Sequence, residues 1–188
     1  MLIKICGVQD PETALFAAQN GADFIGMIVT SGFRRSVTIP QAQEIVKAAR
    51  KGGAELVAVF VGVSAEVIEL TCRHLDIHFV QAYQLDTPLA PHLKRFYINE
   101  PNALLRPHCD FLLMEGNTPG SGEAVDRSHY KPMQQPCFLA GGLNCQNVKE
   151  ISESYRPHGV DVSSGVEEDY KKTCSLILKF IKEVKRCE

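Results

Sequence analysis

No stretch of the sequence gathers lysine and arginine as a nucleic-acid arm or a membrane-surface helix does: 20 basic residues stand against 22 acidic ones, for a formal net charge of −2. Nucleic-acid and membrane partners are therefore not expected, and a charged ligand has to be held by a few local groups. The seven cysteines, at 6, 72, 109, 137, 145, 174 and 187, include no CxxC pair. That argues against a zinc or redox centre and fits a reducing cytosol. No apolar run approaches the roughly 20 residues of a membrane span, and the opening Leu2-Ile3-Lys4-Ile5-Cys6 is too short for a secretory signal. A cytoplasmic protein is expected. The Gly-rich fingerprint of an open, doubly wound nucleotide-binding sheet is missing too, because Gly7-Val8-Gln9 is not one.

What the sequence does contain is a repeat of short apolar runs alternating with amphipathic segments, the pattern of βα units and a parallel sheet. With 188 residues and 45% hydrophobic content, one core and a single domain over 1–188 are expected. Eight strands are read at 2–6, 23–29, 55–61, 77–81, 95–98, 110–114, 137–140 and 159–163. Asp10 caps a first helix with Pro11 at its first position, and Gly21 ends it. Pro40 opens a second helix that stops near Gly52-Gly53, Ser64 caps another, Asn144 or Asn147 begins the seventh, and 169–186 forms the last. Eight such units close into an α/β fold, a compact (βα)₈ or TIM barrel, shorter than the roughly 250 residues typical of that architecture. Pro88, Pro91, Pro101 and Pro107 leave room only for shortened helices in the fourth and fifth units.

Barrel active sites lie at the C-terminal ends of the strands. Alternation along the first strand puts Lys4 and Cys6 on one face and Ile3 and Ile5 on the other, so Cys6 points into the barrel mouth. A nearby cation such as Lys4 lowers a thiol pKa and makes thiolate available, although on position alone a small core cysteine is the plainer reading. Asp161 shares a face with Ser163, and strands one and eight are neighbours in a closed barrel, so Lys4 and Asp161 are expected to pair inside it. Gly141-Gly142 and Ser164-Gly165 follow strands seven and eight, where barrels commonly build a phosphate site from backbone amides and a helix N-terminus. Gly120-Ser121-Gly122 leads to Asp126, which reads either as an acid carried on a mobile loop or as a helix N-cap.

Taken together, Lys4-Ile5-Cys6-Gly7, Arg35 with Val37, Val59-Phe60-Val61, Gln81, the Gly-Ser-Gly loop with Asp126, Leu139 to Leu143, and Asp161 to Glu167 closely resemble the phosphoribosylanthranilate isomerases. The resemblance runs over nearly the whole chain. It implies an Amadori rearrangement of N-(5-phosphoribosyl)anthranilate in tryptophan biosynthesis, with Asp126 as general acid and Cys6 as general base. It further implies that Arg35 holds the anthranilate carboxylate while Arg34 faces solvent, that Gly141, Gly142, Ser164 and Gly165 hold the phosphate, and that Gln81, Asp161 and Ser163 contact substrate. A phosphorylated small molecule is then the partner, no cofactor or metal is needed, and a monomer is expected.

Four features depart from the family pattern. Tyr83 stands where a histidine usually follows the strand-four glutamine, Glu115 replaces the aspartate that often ends strand six, the stretch up to Cys109 is short, and the loop after Glu167 lacks the usual Pro-Gly and Lys-Asp elements. Two other functions remain open on these grounds. One is a catalytically weakened barrel that binds a phosphorylated metabolite. The other is an isomerase of a different phosphosugar, such as a histidine-pathway aminoaldose, whose chemistry generally pairs two aspartates where this chain has Cys6 in the first position.

Overall fold

The computed structural model describes residues 1–85, 87–99, 106, 110–116 and 135–187. Eight parallel strands form a closed barrel in sequence order: β1 (Leu2–Cys6), β2 (Phe24–Ile28), β3 (Glu55–Val61), β4 (Phe79–Tyr83), β5 (Lys94–Ile98), β6 (Phe111–Met114), β7 (Cys137–Leu139) and β8 (Gly159–Val162). Closure is made by β1 against β8, with Lys4 level with Asp161. Among the described residues no helix is long and apolar enough to cross a membrane.

Alternation along the strands sorts the apolar residues into two separate cores. Ile3, Ile5, Ile25, Met27, Leu56, Val80 and Val162 face outward and pack beneath the helices. Phe24, Val57, Phe79, Phe96, Leu113 and Phe138 fill the barrel interior. Five phenylalanines, the four just named with Phe111, meet there mainly edge to face at centroid separations of 5.0–6.3 Å. Each such contact adds about 0.5–1.5 kcal/mol beyond the area it buries. This plug is the floor on which the polar residues above it rest: the Lys4 ammonium lies 5.7 Å from the Phe96 ring.

Local chemistry sets the helix boundaries. Helix α1 (Pro11–Gln19) begins where the Asp10 carboxylate accepts from the Thr13 amide. Helix α2 (Ile39–Gly52) starts one residue before Pro40, because Thr38 and Gln41 form a reciprocal capping box, and it ends at left-handed Gly53. Ser64 caps α3 (Ala65–Leu75). The choice between Asn144 and Asn147 is resolved as a division of labour. Asn147 occupies the N-cap of α4 (Val148–Tyr155), while the Asn144 side chain accepts from the amides of Gln146 and Asn147.

Two expectations need correction. The last helix, α5 (Cys174–Lys185), begins five residues later than the sequence suggested. Asp169 and Tyr170 are both left-handed (φ 48° and 65°), and this turn folds β9 (Glu167–Glu168) back on β10 (Lys171–Lys172) as a small antiparallel hairpin. In the fourth unit the shortened helix shrinks to none among the described residues, since Pro88 and Pro91 and a left-handed Gln84 interrupt 84–93. Cys109 and most of the fifth unit lie outside the described residues.

Candidate active site at the barrel mouth

Cys6 is the last residue of β1, half-buried at the C-terminal end of the barrel. Its partner in register on β2 is Gly26. A Cβ at Gly26 would lie 2.9 Å from the Cys6 sulfur, so a side chain there would force the thiol aside. Two residues below, the fully buried Lys4 ammonium donates to Asp161 Oδ2 at 2.8 Å and to Gln81 Oε1 at 3.0 Å. The pairing of Lys4 with Asp161 expected from strand order is thus present. Burial alone would push Lys4 toward its neutral form, but the charges of Asp161 and Cys6 and their hydrogen bonds outweigh it and hold Lys4 above the ordinary lysine value.

The cation does not win at the thiol. Burial pushes the Cys6 pKa up, the Lys4 charge pulls it down, the Asp161 charge pushes it up again, and the balance lies above the ordinary value. The expectation that Lys4 makes thiolate freely available therefore needs revision: Lys4 limits a rise that burial imposes.

The chain of hydrogen bonds continues beyond Lys4. Gln81 Nε2 donates to the Tyr83 hydroxyl at 2.8 Å, and that hydroxyl donates to Glu115 Oε1 at 2.7 Å. Gln81, read from sequence as a substrate contact, thus has both ends of its amide engaged by protein groups. Burial pushes the Glu115 carboxyl up to about 7, with the Asp161 charge adding to the rise and the Tyr83 hydrogen bond and the Lys4 charge opposing it. A carboxyl raised in this way binds a proton in the folded state that the unfolded chain has already lost, so between about pH 4.5 and 7 its ionisation removes stability as pH rises. Accordingly, Glu115→Gln is expected to melt a few degrees above the parent at pH 8 and to lose that advantage at pH 5. Thermal melts at the two pH values check this, and an advantage equal at both would contradict it.

A second polar cluster lies beside the first. Arg35, buried on the loop after β2, donates from Nε and Nη2 to the two carboxylate oxygens of Glu167 at 2.7 and 2.8 Å. Pairing of β9 with β10 brings Lys172 level with Glu167, where its ammonium donates to Glu167 Oε1 at 2.5 Å and to the Ser163 carbonyl at 3.0 Å. Burial works against ionised Glu167, but hydrogen bonds from Arg35 and Lys172 hold its carboxyl below the usual range. At Lys172 burial prevails over Glu167 and lowers the pKa. Arg35 was expected to present its fork to a substrate carboxylate, and two of its three nitrogens are already taken. Arg34 is the more exposed of the two, with its guanidinium 4.2 Å over the Tyr170 ring.

In the sequence Tyr83 and Glu115 stand out only as departures from the family pattern, and the part played by Lys172 was not foreseen. The shared face of Gln81 and Tyr83 on one strand was a usable signal, as was the charge reversal from Glu167-Glu168 to Lys171-Lys172.

The two loops expected to hold phosphate are joined physically. A Cβ at Gly165 would lie 1.9 Å from the Leu143 carbonyl oxygen, so only glycine lets the short 3₁₀ turn Ser164–Val166 seat against the segment after β7. Gly141 and Gly142 both have positive φ, and the Asn147 side chain donates from Nδ2 to the Gly142 carbonyl at 2.8 Å. These loops, Ser163 among them, follow adjacent strands at the same end of the barrel as Cys6. Asp126 and the Gly120-Ser121-Gly122 loop lie outside the described residues.

A closed parallel barrel, with a thiol and a buried ion pair at its C-terminal mouth beside two joined glycine loops, defines a (βα)₈-barrel enzyme. Comparison with known proteins supplies the family. The model of the N-(5'phosphoribosyl)anthranilate (PRA) isomerase family matches residues 3–183, and the chain belongs to that family of isomerases. A relative from Streptococcus mutans named N-(5'-phosphoribosyl)anthranilate isomerase is 33% identical over 192 residues, spanning 98% of each chain. The crystal structure of phosphoribosyl anthranilate isomerase from Thermus thermophilus superposes with a TM-score of 0.86 at 26% identity and full coverage of both chains. A similar structure, TM-score 0.78 and 26% identity over 99% of this chain and all of the other, is of the isomerase in complex with reduced 1-(o-carboxyphenylamino)-1-deoxyribulose 5-phosphate.

Proposed function

We propose that this chain isomerises N-(5'-phosphoribosyl)anthranilate to 1-(2-carboxyphenylamino)-1-deoxyribulose 5-phosphate, a step of tryptophan biosynthesis, with Cys6 as general base and Asp126 as general acid. The observation that carries the reading is the Cys6 thiol at the barrel mouth, facing the Lys4 ammonium on the same strand.

The chemistry needs both groups. Asp126 donates a proton to the furanose ring oxygen as the bond from that oxygen to C1′ breaks, leaving a Schiff base between C1′ and the anthranilate nitrogen. The Cys6 thiolate removes the proton from C2′, and the electron pair moves toward the nitrogen to give an enolamine. Ketonisation returns the 2′-hydroxyl proton to the Asp126 carboxylate and delivers the Cys6 proton to C1′, so that acid and base end as they began.

The remaining groups hold the substrate. Amides of Gly141, Gly142, Ser164 and Gly165 receive the phosphate at the C-terminal mouth of the barrel, where the loops after β7 and β8 pack together. Arg35 offers the anthranilate carboxylate the nitrogen that Glu167 leaves over. Asp161 Oδ1, buried and without a partner among the described residues, is an acceptor for a sugar hydroxyl. Purified protein mixed with freshly prepared phosphoribosylanthranilate is expected to extinguish the substrate's fluorescence, and binding without turnover would refute the assignment.

A pH dependence follows from Cys6. A base whose pKa is raised needs higher pH to ionise, so kcat/KM is expected to keep climbing beyond about pH 8.5, the value for a free thiol. A profile already flat by pH 7 would mean that the thiol is not the group being ionised.

A further inference from the structure

We propose that Tyr83 and Glu115 act as a positioning pair: together they set the sense of the Gln81 amide and thereby hold the Lys4 ammonium against Cys6. The inference rests on the reading of Cys6 as the base.

Hydrogen-bond direction couples these four side chains. Lys4 can only donate, and Gln81 Oε1 accepts from it at 3.0 Å. The Gln81 NH₂ end must then find an acceptor on its other side, and the Tyr83 oxygen is that acceptor at 2.8 Å. The Tyr83 hydroxyl must in turn send its proton elsewhere, and it does so to Glu115 at 2.7 Å. Each link leaves one orientation for the next. An ionised Glu115 locks the series, because a carboxylate only accepts. A protonated Glu115 can donate to Tyr83, which frees the phenol to turn its own proton toward Gln81. The amide could then present its NH₂ to Lys4, two donors facing each other.

The groups around Glu115 come from three other strands: Tyr83 from β4, Asp161 from β8 and Lys4 from β1. Asn99, just past β5, accepts from the Glu115 backbone amide and fixes where the side chain begins. With its carboxyl near 7, the pair changes state in the range where the enzyme would work. Tyr83 also feels the Cys6 charge directly, which places the two ends of the series close together.

The test reads the thiol without needing substrate. Iodoacetamide labelling of Cys6, followed peptide by peptide across pH, is compared among the parent, Tyr83→Phe and Glu115→Gln, beside isomerase kinetics. Tyr83→Phe removes the acceptor for Gln81, and the midpoint of Cys6 labelling is expected to rise by about one pH unit as Lys4 loosens from the thiol. Its kcat should fall about 10-fold while KM moves less than about threefold. Glu115→Gln keeps an oxygen for the Tyr83 hydroxyl but does not titrate. It should lose the change of slope near neutrality that is expected in the parent's labelling profile, and should retain more activity than Tyr83→Phe. A Tyr83→Phe profile superimposable on the parent's, or a neutral slope change that survives in Glu115→Gln, overturns the proposal. If the labelling shifts appear in a protein with no isomerase activity, the assigned reaction fails and the pair stands. If the protein is active and the labelling does not move, the pair fails and the reaction stands.

Discussion

Cys6→Ser is expected to lower kcat by about 10²–10⁴-fold, the range contributed by a positioned proton-transfer group, with little change in KM and none in fold. Serine fits wherever cysteine does, and Gly26 already leaves space in front of the side chain. The hydroxyl cannot ionise at any pH where the protein survives, so even the modest Lys4 assistance available to the thiol has nothing to act on. Only the proposed base is removed, because Arg35 and the loops proposed to hold phosphate follow other strands. Steady-state fluorescence assays at saturating substrate measure kcat directly. Asp126→Asn, which can no longer give up a proton to the ring oxygen, should fall in the same range. Retention of more than about a tenth of the parent kcat in Cys6→Ser would remove the thiol from the mechanism.

Lys4→Met is expected to be the most destabilising substitution near the site, at roughly 3–5 kcal/mol. Lys4 is fully buried and Asp161 only 6% exposed. Without the ammonium, the aspartate is left inside the barrel with neither oxygen satisfied, since Oδ1 already has no partner among the described residues. The penalty comes from that stranded polar group rather than from any large gain the ion pair supplied. The double variant Lys4→Met with Asp161→Leu removes both charges and should recover most of the stability, because apolar groups of similar volume commonly replace a buried ion pair at little cost. Its activity should stay low, as the thiol has lost its cation. Denaturant titrations of the single and double variants separate the two effects. A double variant no more stable than Lys4→Met would show that the loss came from packing.

The legible part of this protein was its periodicity. Alternation at Lys4-Ile5-Cys6 placed the thiol and the lysine on the inner face, and the apolar residues of the other strands sort into inner and outer cores by the same rule. Asp10 and Ser64 announced their helices by capping chemistry that reaches only three residues along the chain. Even the Lys4 and Asp161 pair, 157 residues apart, could be foreseen, because closure of a barrel makes first and last strands neighbours whatever lies between them. The hairpin at 167–172 was not foreseen: two consecutive left-handed non-glycine residues, Asp169 and Tyr170, carry no strong local signature, and a helix pattern runs on behind them.

Sequence alone therefore determined the barrel, the inward faces of the first and last strands and the family, since these depend on local spacing and on motifs in chain order. Tertiary structure decided what each charged group does. Whether burial or Lys4 governs the Cys6 thiol, and whether the Arg35 fork is open or held by Glu167, depends on distances between different strands and on how much water they exclude. Glu115, which in the sequence merely follows a strand, meets Tyr83 only across the barrel mouth. Coulomb energies and desolvation act through space, and residue spacing along a chain does not contain them until the barrel has closed.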